Sequence, residues 1–336
     1  MFEWTNVVSI TDKARVTFGA LYNGIQGKET FFATIPATVI SRGSRSGGAF
    51  YAQLDYALLD NLKLIGGFQA NKAGHIDLNV VPRFGVIWSP APHFSLKALY
   101  SEAFRAPSIN ETNLNYIPPP EIGGPSLLGN PNLVPEKVAT VDVGLTYQGD
   151  RVQAGIGYFH SLLTDNIILV NPTTNGTYEN LGSVTFQGVQ LDGKWYLNKN
   201  FFLTGSSIYQ FNEDGNGNSN VTPIANFGAK AGISYESVPG LTASLFDVYQ
   251  GPVHGYSGSL NPHAGTYDLL NAHVRYDFTK YLPLGSHTSV AFVAHADNLT
   301  DQAIWLPDWK DSPGDTTFSN RGRTVYFGVE LSLKKE

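Results

Sequence analysis

The chain has 336 residues, of which 42% are hydrophobic, 12% aromatic and only 15% charged, with a net charge of -6, 35 glycines and no cysteine. No apolar run reaches the roughly 18 residues that a membrane helix needs, so any crossing of a bilayer falls to strands closed into a barrel. The mild acidity argues against nucleic acid as a partner, which would favour a clustered basic face, and the absence of cysteine permits an oxidising compartment.

In chain order, residues 1–10, MFEWTNVVSI, read as the remnant of a strand cut short, and residues 1–25 lack the basic and apolar segments of an export signal. From there on, apolar residues at every second position mark about fourteen strands. Six lie near 13–23, 48–58, 61–71, 78–89, 93–104 and 136–148. Eight more follow near 151–161, 184–197, 200–212, 224–236, 240–250, 267–279, 287–299 and 322–333. Each has about the 9–11 residues, or slightly more, of a tilted membrane strand.

The pattern is clearest at Ala139, Val141, Val143, Leu145 and Tyr147, which alternate with Thr140, Asp142, Gly144 and Thr146. After 148–150 it resumes at Val152, Ala154, Ile156 and Tyr158, which predicts a tight antiparallel hairpin. Leu270, Ala272, Val274, Tyr276 and Phe278 oppose Asn271, His273, Arg275 and Asp277 in the same way, and Val189, Leu191 and Trp195 oppose Gln190, Asp192 and Lys194. In 240–250 the alternation of Leu241, Ala243 and Leu245 loses phase at Phe246, where a bulge is expected.

Short connections (59–60, 90–92, 149–150, 198–199, 237–239) take turns with long ones (24–47, 105–135, 162–183, 213–223, 251–266, 300–321), as periplasmic turns and external loops do in outer-membrane barrels. Tyr56, Trp88, Tyr147, Trp195, Tyr235 and Phe278 hold the apolar phase near the short turns, and Tyr22, Phe68, Tyr100, Tyr158, Tyr209 and Tyr249 hold it near the long ones. Two aromatic girdles at two interfaces produce this arrangement. A soluble sandwich or propeller explains the period, but not strand length, loop asymmetry and aromatic ends together.

The stretches SEAFRAPSINE (101–111) and GNPNLVPE (129–136) resemble the barrel signature of TonB-dependent outer-membrane receptors. GVQLDGKWYL, ADNLTDQAIWLPDW and GRTVYFGVELSL follow in the order that the family shows. The resemblance implies an all-β, antiparallel transmembrane barrel of outer-membrane type, with the fourteen or so strands forming part of a barrel of about 22 whose lumen is plugged. It places residues 1–336 in one partial barrel domain of the bacterial outer membrane, from a partial gene or a truncated product, without plug or signal peptide. It implies these partners: outer-membrane lipid, a scarce small ligand (siderophore, cobalamin or carbohydrate), the barrel assembly machinery, and the TonB complex through the missing plug alone. Outer-membrane barrels of this kind usually end on an aromatic residue, and Leu333 stands in that place.

The motif positions are Phe104, Arg105, Pro107, Asn130, Pro131, Asn132, Leu133, Pro135, Glu136, Asn298, Leu299, Asp301, Gly322 and Arg323. Pro107 is expected to break its strand and Arg105 to pair with a lumenal carboxylate, while Asn130, Pro131, Asn132 and Pro135 order the return from a long loop. Ligand contacts are expected in loops at Arg105, Tyr116, Glu121, Trp305 and Trp309, with the irregular IPPPEIGGP (117–125) as a ligand-facing surface. Lumenal charges of mixed sign, Lys97, Asp142, Asp192, Lys194, Arg275, Asp277 and Glu330, leave the charge of the ligand open.

Residues 212–220, NEDGNGNSN, lack the spaced acids and closing Glu of a calcium loop, and the scattered histidines show no metal spacing, although His273 and His295 fall on polar faces. No cofactor or metal is expected. Catalytic motifs are absent, and Ser289 with His273 or His295 is a pairing that chance supplies. The expected function is transport, with a passive porin-like channel or an inert fragment as the alternatives.

Overall fold

The computed structural model describes residues 1–31, 38–74, 76–121, 123–237, 240–254, 265–283, 288–308, 315–318 and 322–333. Six long strands come first: β1 (Phe2–Thr11), β2 (Ala14–Phe31), β3 (Thr38–Leu59), β4 (Leu62–Ala73), β5 (Asn79–Trp88) and β6 (Phe94–Arg105). A short helix α1 (Ile109–Asn113) and strands β7 (Asn115–Tyr116) and β8 (Ser126–Leu128) precede β9 (Glu136–Gln148) and β10 (Val152–Thr164). The short β11 (Ile167–Val170) and β12 (Asn175–Asn180) lead to β13 (Ser183–Tyr196), β14 (Phe201–Asp214), β15 (Phe227–Ser237) and β16 (Leu241–Gln250). The chain closes with β17 (Tyr267–Asp277), β18 (Thr288–Asp297), β19 (Trp305–Asp308), β20 (Asp315–Phe318) and β21 (Thr324–Leu333).

Among the described residues, fifteen strands form one antiparallel sheet in the order β1-β2-β3-β4-β5-β6-β9-β10-β13-β14-β15-β16-β17-β18-β21. Every long strand lies beside its neighbour in sequence, the up-and-down connectivity of an outer-membrane barrel. The sequence count of about fourteen is one short. Residues 2–11 are a complete strand, paired with β2 from Phe2 opposite Tyr22 to Thr11 opposite Ala14. The chain divides into two compact units, residues 1–143, 159–186 and 213–217, and residues 144–158, 187–212 and 218–336.

The loop expected at 24–47 is mostly strand. Pairing of β2 with β3 continues from Ala14 opposite Tyr56 to Phe31 opposite Thr38, with one irregularity at Glu29/Thr30. β1 ends opposite Tyr22 and β4 ends opposite Gly47, so the ribbon 24–31/38–46 rises beyond its neighbours. Neither of its faces meets lipid there, one being covered by α1 and Tyr116, so it needs no apolar alternation: Lys28 stands opposite Arg42, and Gly27 stands opposite Gly43 beneath Ile109. The segments 105–135 and 162–183 are likewise partly regular. They contain α1 and a four-stranded sheet in the order β11-β12-β8-β7, in which β12 and β8 run parallel.

The outward phase carries the exposed apolar side chains, among them Phe50, Phe68, Trp88, Val141, Val143, Leu145, Ile156 and Trp195. Val143 in the middle of β9 is 41% accessible, a value that only a lipid environment makes favourable for a row of such residues. Rings pair across strands on this face: Phe201 with Tyr235 at 4.7 Å, Phe227 with Tyr249 at 5.9 Å and Phe292 with Phe327 at 6.1 Å. The opposite phase is polar. Tyr51 there lies over Gly19, where a side chain would collide with it, and its hydroxyl meets Thr5 and Glu3.

The bulge expected at Phe246 is absent. β16 pairs without interruption with both neighbours, and Phe246 on the polar phase faces Gly232, whose missing side chain leaves room for the ring. Buried apolar residues are few, and several (Ile76, Leu114, Leu133, Ile167, Ile304) lie in or beside the external loops rather than in the long strands.

Candidate functional site

At the external end of the first unit, one guanidinium ties four segments together. Arg105, the last residue of β6, makes a bidentate pair with Glu111 of α1, with Nη1 and Nη2 each donating over 3.0 Å. Its Nε donates to Glu136 Oε2 at the start of β9, and Glu136 Oε1 accepts the Ile167 N–H of β11 at 2.8 Å. Glu136 is only 8% exposed and stands three residues outside Ala139, where the lipid-facing phase starts. Burial opposes its charge, but the Arg105 hydrogen bond and the Ile167 N–H outweigh burial and hold the carboxyl below the ordinary glutamate range.

The short helix is built for this place. Ser108 accepts from the Glu111 N–H at 3.1 Å while Glu111 accepts from the Ser108 N–H at 2.6 Å, a capping box that also aims the Glu111 carboxylate at Arg105. Among the described residues Pro107 is the largest fully buried side chain; it lies just past the end of β6, and its carbonyl accepts from Arg45 of the β3 ribbon. Ile109 rests on Gly27 and Gly43, where a methyl at Gly43 would come within 2.9 Å of it. Burial lowers the Arg45 guanidinium below its ordinary value, against the pull of Glu111.

The return from the loop is ordered by asparagines. Asn130 donates to the Tyr178 carbonyl (2.9 Å) and accepts the Asn132 N–H (2.9 Å), while its own N–H reaches the Glu111 carbonyl (2.8 Å). Leu133 and Pro135 are buried, and Pro131 and Asn132 are exposed. Asn180 brackets Val134 by accepting its N–H and donating to its carbonyl, each at 2.9 Å. Phe104 is half-buried, and Tyr116 meets Phe31 edge-on at 5.0 Å. Glu121 is exposed beside the three prolines.

Between the ribbon and α1 lies a groove of ≈ 590 Å³, lined by Tyr22, Gln26, Ser44, Arg45 and Asn113 among others. A second hollow of ≈ 340 Å³ shares Ile25, Arg45 and Ser46 and includes Arg105. A polar groove of this size with one recessed guanidinium suits a small ligand bearing oxygen acceptors.

In the second unit, Asn298 is 4% exposed with a left-handed backbone (φ 50°), and its side chain both donates to the Gln302 carbonyl and accepts the Gln302 N–H at 2.9 Å. The Leu299 N–H bonds the Leu270 carbonyl, and Asp301 accepts the Arg323 N–H at 2.7 Å beside Gly322 (φ 70°). These five motif residues position the last strand. Trp305 stacks edge-on to Phe318 at 5.3 Å across the β19–β20 hairpin, whereas Trp309 lies outside the described residues. Ser289 is six residues from His295 along β18, about 20 Å away at strand rise, so the two form no catalytic pair. Among the described residues, no group of three or more acidic, histidine or cysteine side chains is placed to hold a metal.

Of the partners that complete the rim, Ser108 and Glu111 fall within the motif stretch 101–111 without an assigned role, and Ile167, Tyr178 and Asn180 carry no signal in the sequence. Only the capping box, Ser108 with Glu111 three residues on, carried a readable local signal.

Strand order, girdles and an inward polar wall define an outer-membrane β-barrel. The chain belongs to the TonB dependent receptor-like, beta-barrel family, which matches residues 2–299. It is 22% identical over 348 aligned residues to the ferric enterobactin receptor PirA of Pseudomonas aeruginosa, covering 94% of this chain and 45% of that protein. It is 21% identical to the ferrienterobactin receptor of Escherichia coli K12 over 318 residues, 84% of this chain and 42% of that one. The fold superposes on a crystal structure of the ferric enterobactin receptor PfeA of P. aeruginosa with a TM-score of 0.75 at 14% identity, covering 98% of this chain and 53% of that one. The chain thus spans about half the length of the curated relatives it matches.

Proposed function

We propose that residues 1–336 supply the barrel part of an outer-membrane receptor that takes up a scarce small ligand of the siderophore type, with transport rather than catalysis as its task. The observation that carries this is the external rim. Arg105 fastens loop, helix and ribbon into a fixed wall, and that wall leaves a groove with Arg45 recessed in it. The names of the relatives, iron-chelate receptors, support the ligand class. Outer-membrane lipid surrounds the apolar phase, the assembly machinery inserts the strands, and coupling to the TonB complex runs through a plug domain.

A self-closed porin is disfavoured by strand parity. Among the described residues, fifteen strands in one antiparallel meander would close on themselves only with a parallel seam, whereas bacterial single-chain barrels are even-numbered. The test is titration of the detergent-refolded chain with an iron(III) tris-catecholate while following tryptophan fluorescence. Saturable quenching that weakens about tenfold in Arg45→Ala, roughly the 1.4 kcal/mol of one charged hydrogen bond, supports the reading. Quenching unchanged by Arg45→Ala and by Arg105→Ala contradicts it.

A further inference from the structure

The polar phase of the second unit carries a row of directly opposed residues: Ser244 faces His273, His273 faces His295, and His295 faces Tyr326. The two imidazole rings lie with their centres 5.9 Å apart and their planes inclined at 57°. His295 Nε2 is 2.8 Å from Asp297 Oδ1, two residues along the same strand and on the same face. Ser244 is engaged with Ser234 at 2.8 Å, and among the described residues the His273 side chain has no hydrogen-bond partner. Neither histidine takes part in the rim, and His295 also stacks on Tyr326 of β21 with ring centres 6.5 Å apart.

We propose that His273 and His295 form a lumenal binding site for a divalent transition-metal ion that favours imidazole, such as zinc. Cross-strand pairing fixes the two rings on one face of the sheet, so little side-chain freedom is lost when both bind one ion. With metal–nitrogen bonds of about 2.0–2.1 Å and each nitrogen roughly 1 Å from its ring centre, two imidazoles on one ion have centres about 5–6 Å apart. The observed 5.9 Å between ring centres falls inside that window. Asp297 supplies the orienting carboxylate that metal-bound histidines usually have: in the metal-bound form it accepts a hydrogen bond from His295 Nε2–H, the tautomer whose Nδ1 lone pair is offered to the ion. Two coordination positions remain open for water or for donor atoms of a carried ligand.

The test is calorimetric titration of the refolded full chain with zinc chloride in detergent, with heat-modifiable gel mobility verifying the fold of each variant. One zinc per chain is expected. His273→Asn and His295→Asn each weaken it by at least about tenfold, Asp297→Asn weakens it by about tenfold and Asp297→Glu restores part of the loss, while His160→Asn leaves it unchanged. X-ray absorption of the zinc-loaded chain adds a readout independent of stability and is expected to show two imidazole ligands. Zinc binding of equal stoichiometry and affinity in the His273→Asn, His295→Asn double variant, or an absorption spectrum without imidazole ligands, overturns the proposal.

Discussion

Replacing Arg105 by alanine is expected to release the external loop while the strands stay intact. The change removes a bidentate pair to Glu111 and a third hydrogen bond to Glu136, which then keeps the Ile167 N–H as its one remaining partner. A hydrogen bond to a charged group contributes about 1.5–3 kcal/mol. The Glu111 limb is partly open to water, with the Arg105 side chain 47% exposed, and adds less than about 1 kcal/mol. The net cost is therefore about 2–3 kcal/mol, or roughly a 30- to 150-fold larger population of the opened loop. Native-state proteolysis reads that population directly when opening and closing are fast. Cleavage within 106–135 should accelerate by that factor, while the urea midpoint of the strands shifts little. Arg105→Lys should fall between, since an ammonium cannot make the bidentate pair. Cleavage rates within twofold of the parent for Arg105→Ala would refute the reasoning.

Glu136 gives a pH dependence of defined sign. Its folded value is depressed, so its contribution to the clamp is complete above the ordinary glutamate value and is lost as pH falls through the folded one. Hydrogen exchange of the 106–135 segment, corrected for chemical rate, should rise below about pH 4, and Glu136→Gln should flatten that rise. Gly129→Ala should loosen the same loop by about 1–3 kcal/mol, because a methyl there would stand 2.5 Å from the Leu114 nitrogen; amide exchange of α1 checks this. In lipid vesicles Val143→Arg should lower the unfolding free energy by about 2–4 kcal/mol and Asp142→Arg by less than about 1, since only the first faces lipid.

What was legible in the sequence depended on whether a residue's two faces meet different surroundings. The hairpin 136–161 could be read residue by residue because Val141, Val143 and Leu145 meet lipid while Asp142 and Gly144 do not. The ribbon above the membrane was missed for the converse reason: no lipid on either side, with α1 against one face, lets Gly27, Lys28, Arg42 and Gly43 sit in strands with no apolar phase. Phe246 looked like a break in register because its justification, the empty place at Gly232, is on another strand. Arg105 could be assigned a carboxylate partner from its type and motif, yet the choice of Glu111 and Glu136 and the bracketing of Val134 by Asn180 join positions up to 46 apart in sequence, and those meetings are set by the fold alone.

The most direct measurement uses the absence of native cysteine. Single cysteines introduced in turn at residues 140 to 146 of the chain in vesicles can be tested for reaction with a water-soluble maleimide and, once labelled with a fluorophore, for quenching by a lipid-borne quencher. Positions 141, 143 and 145 should be lipid-quenched and react poorly, and 140, 142, 144 and 146 should show the reverse. Labelling and quenching that fail to alternate along β9 would contradict a strand with one face in lipid and the other in the lumen.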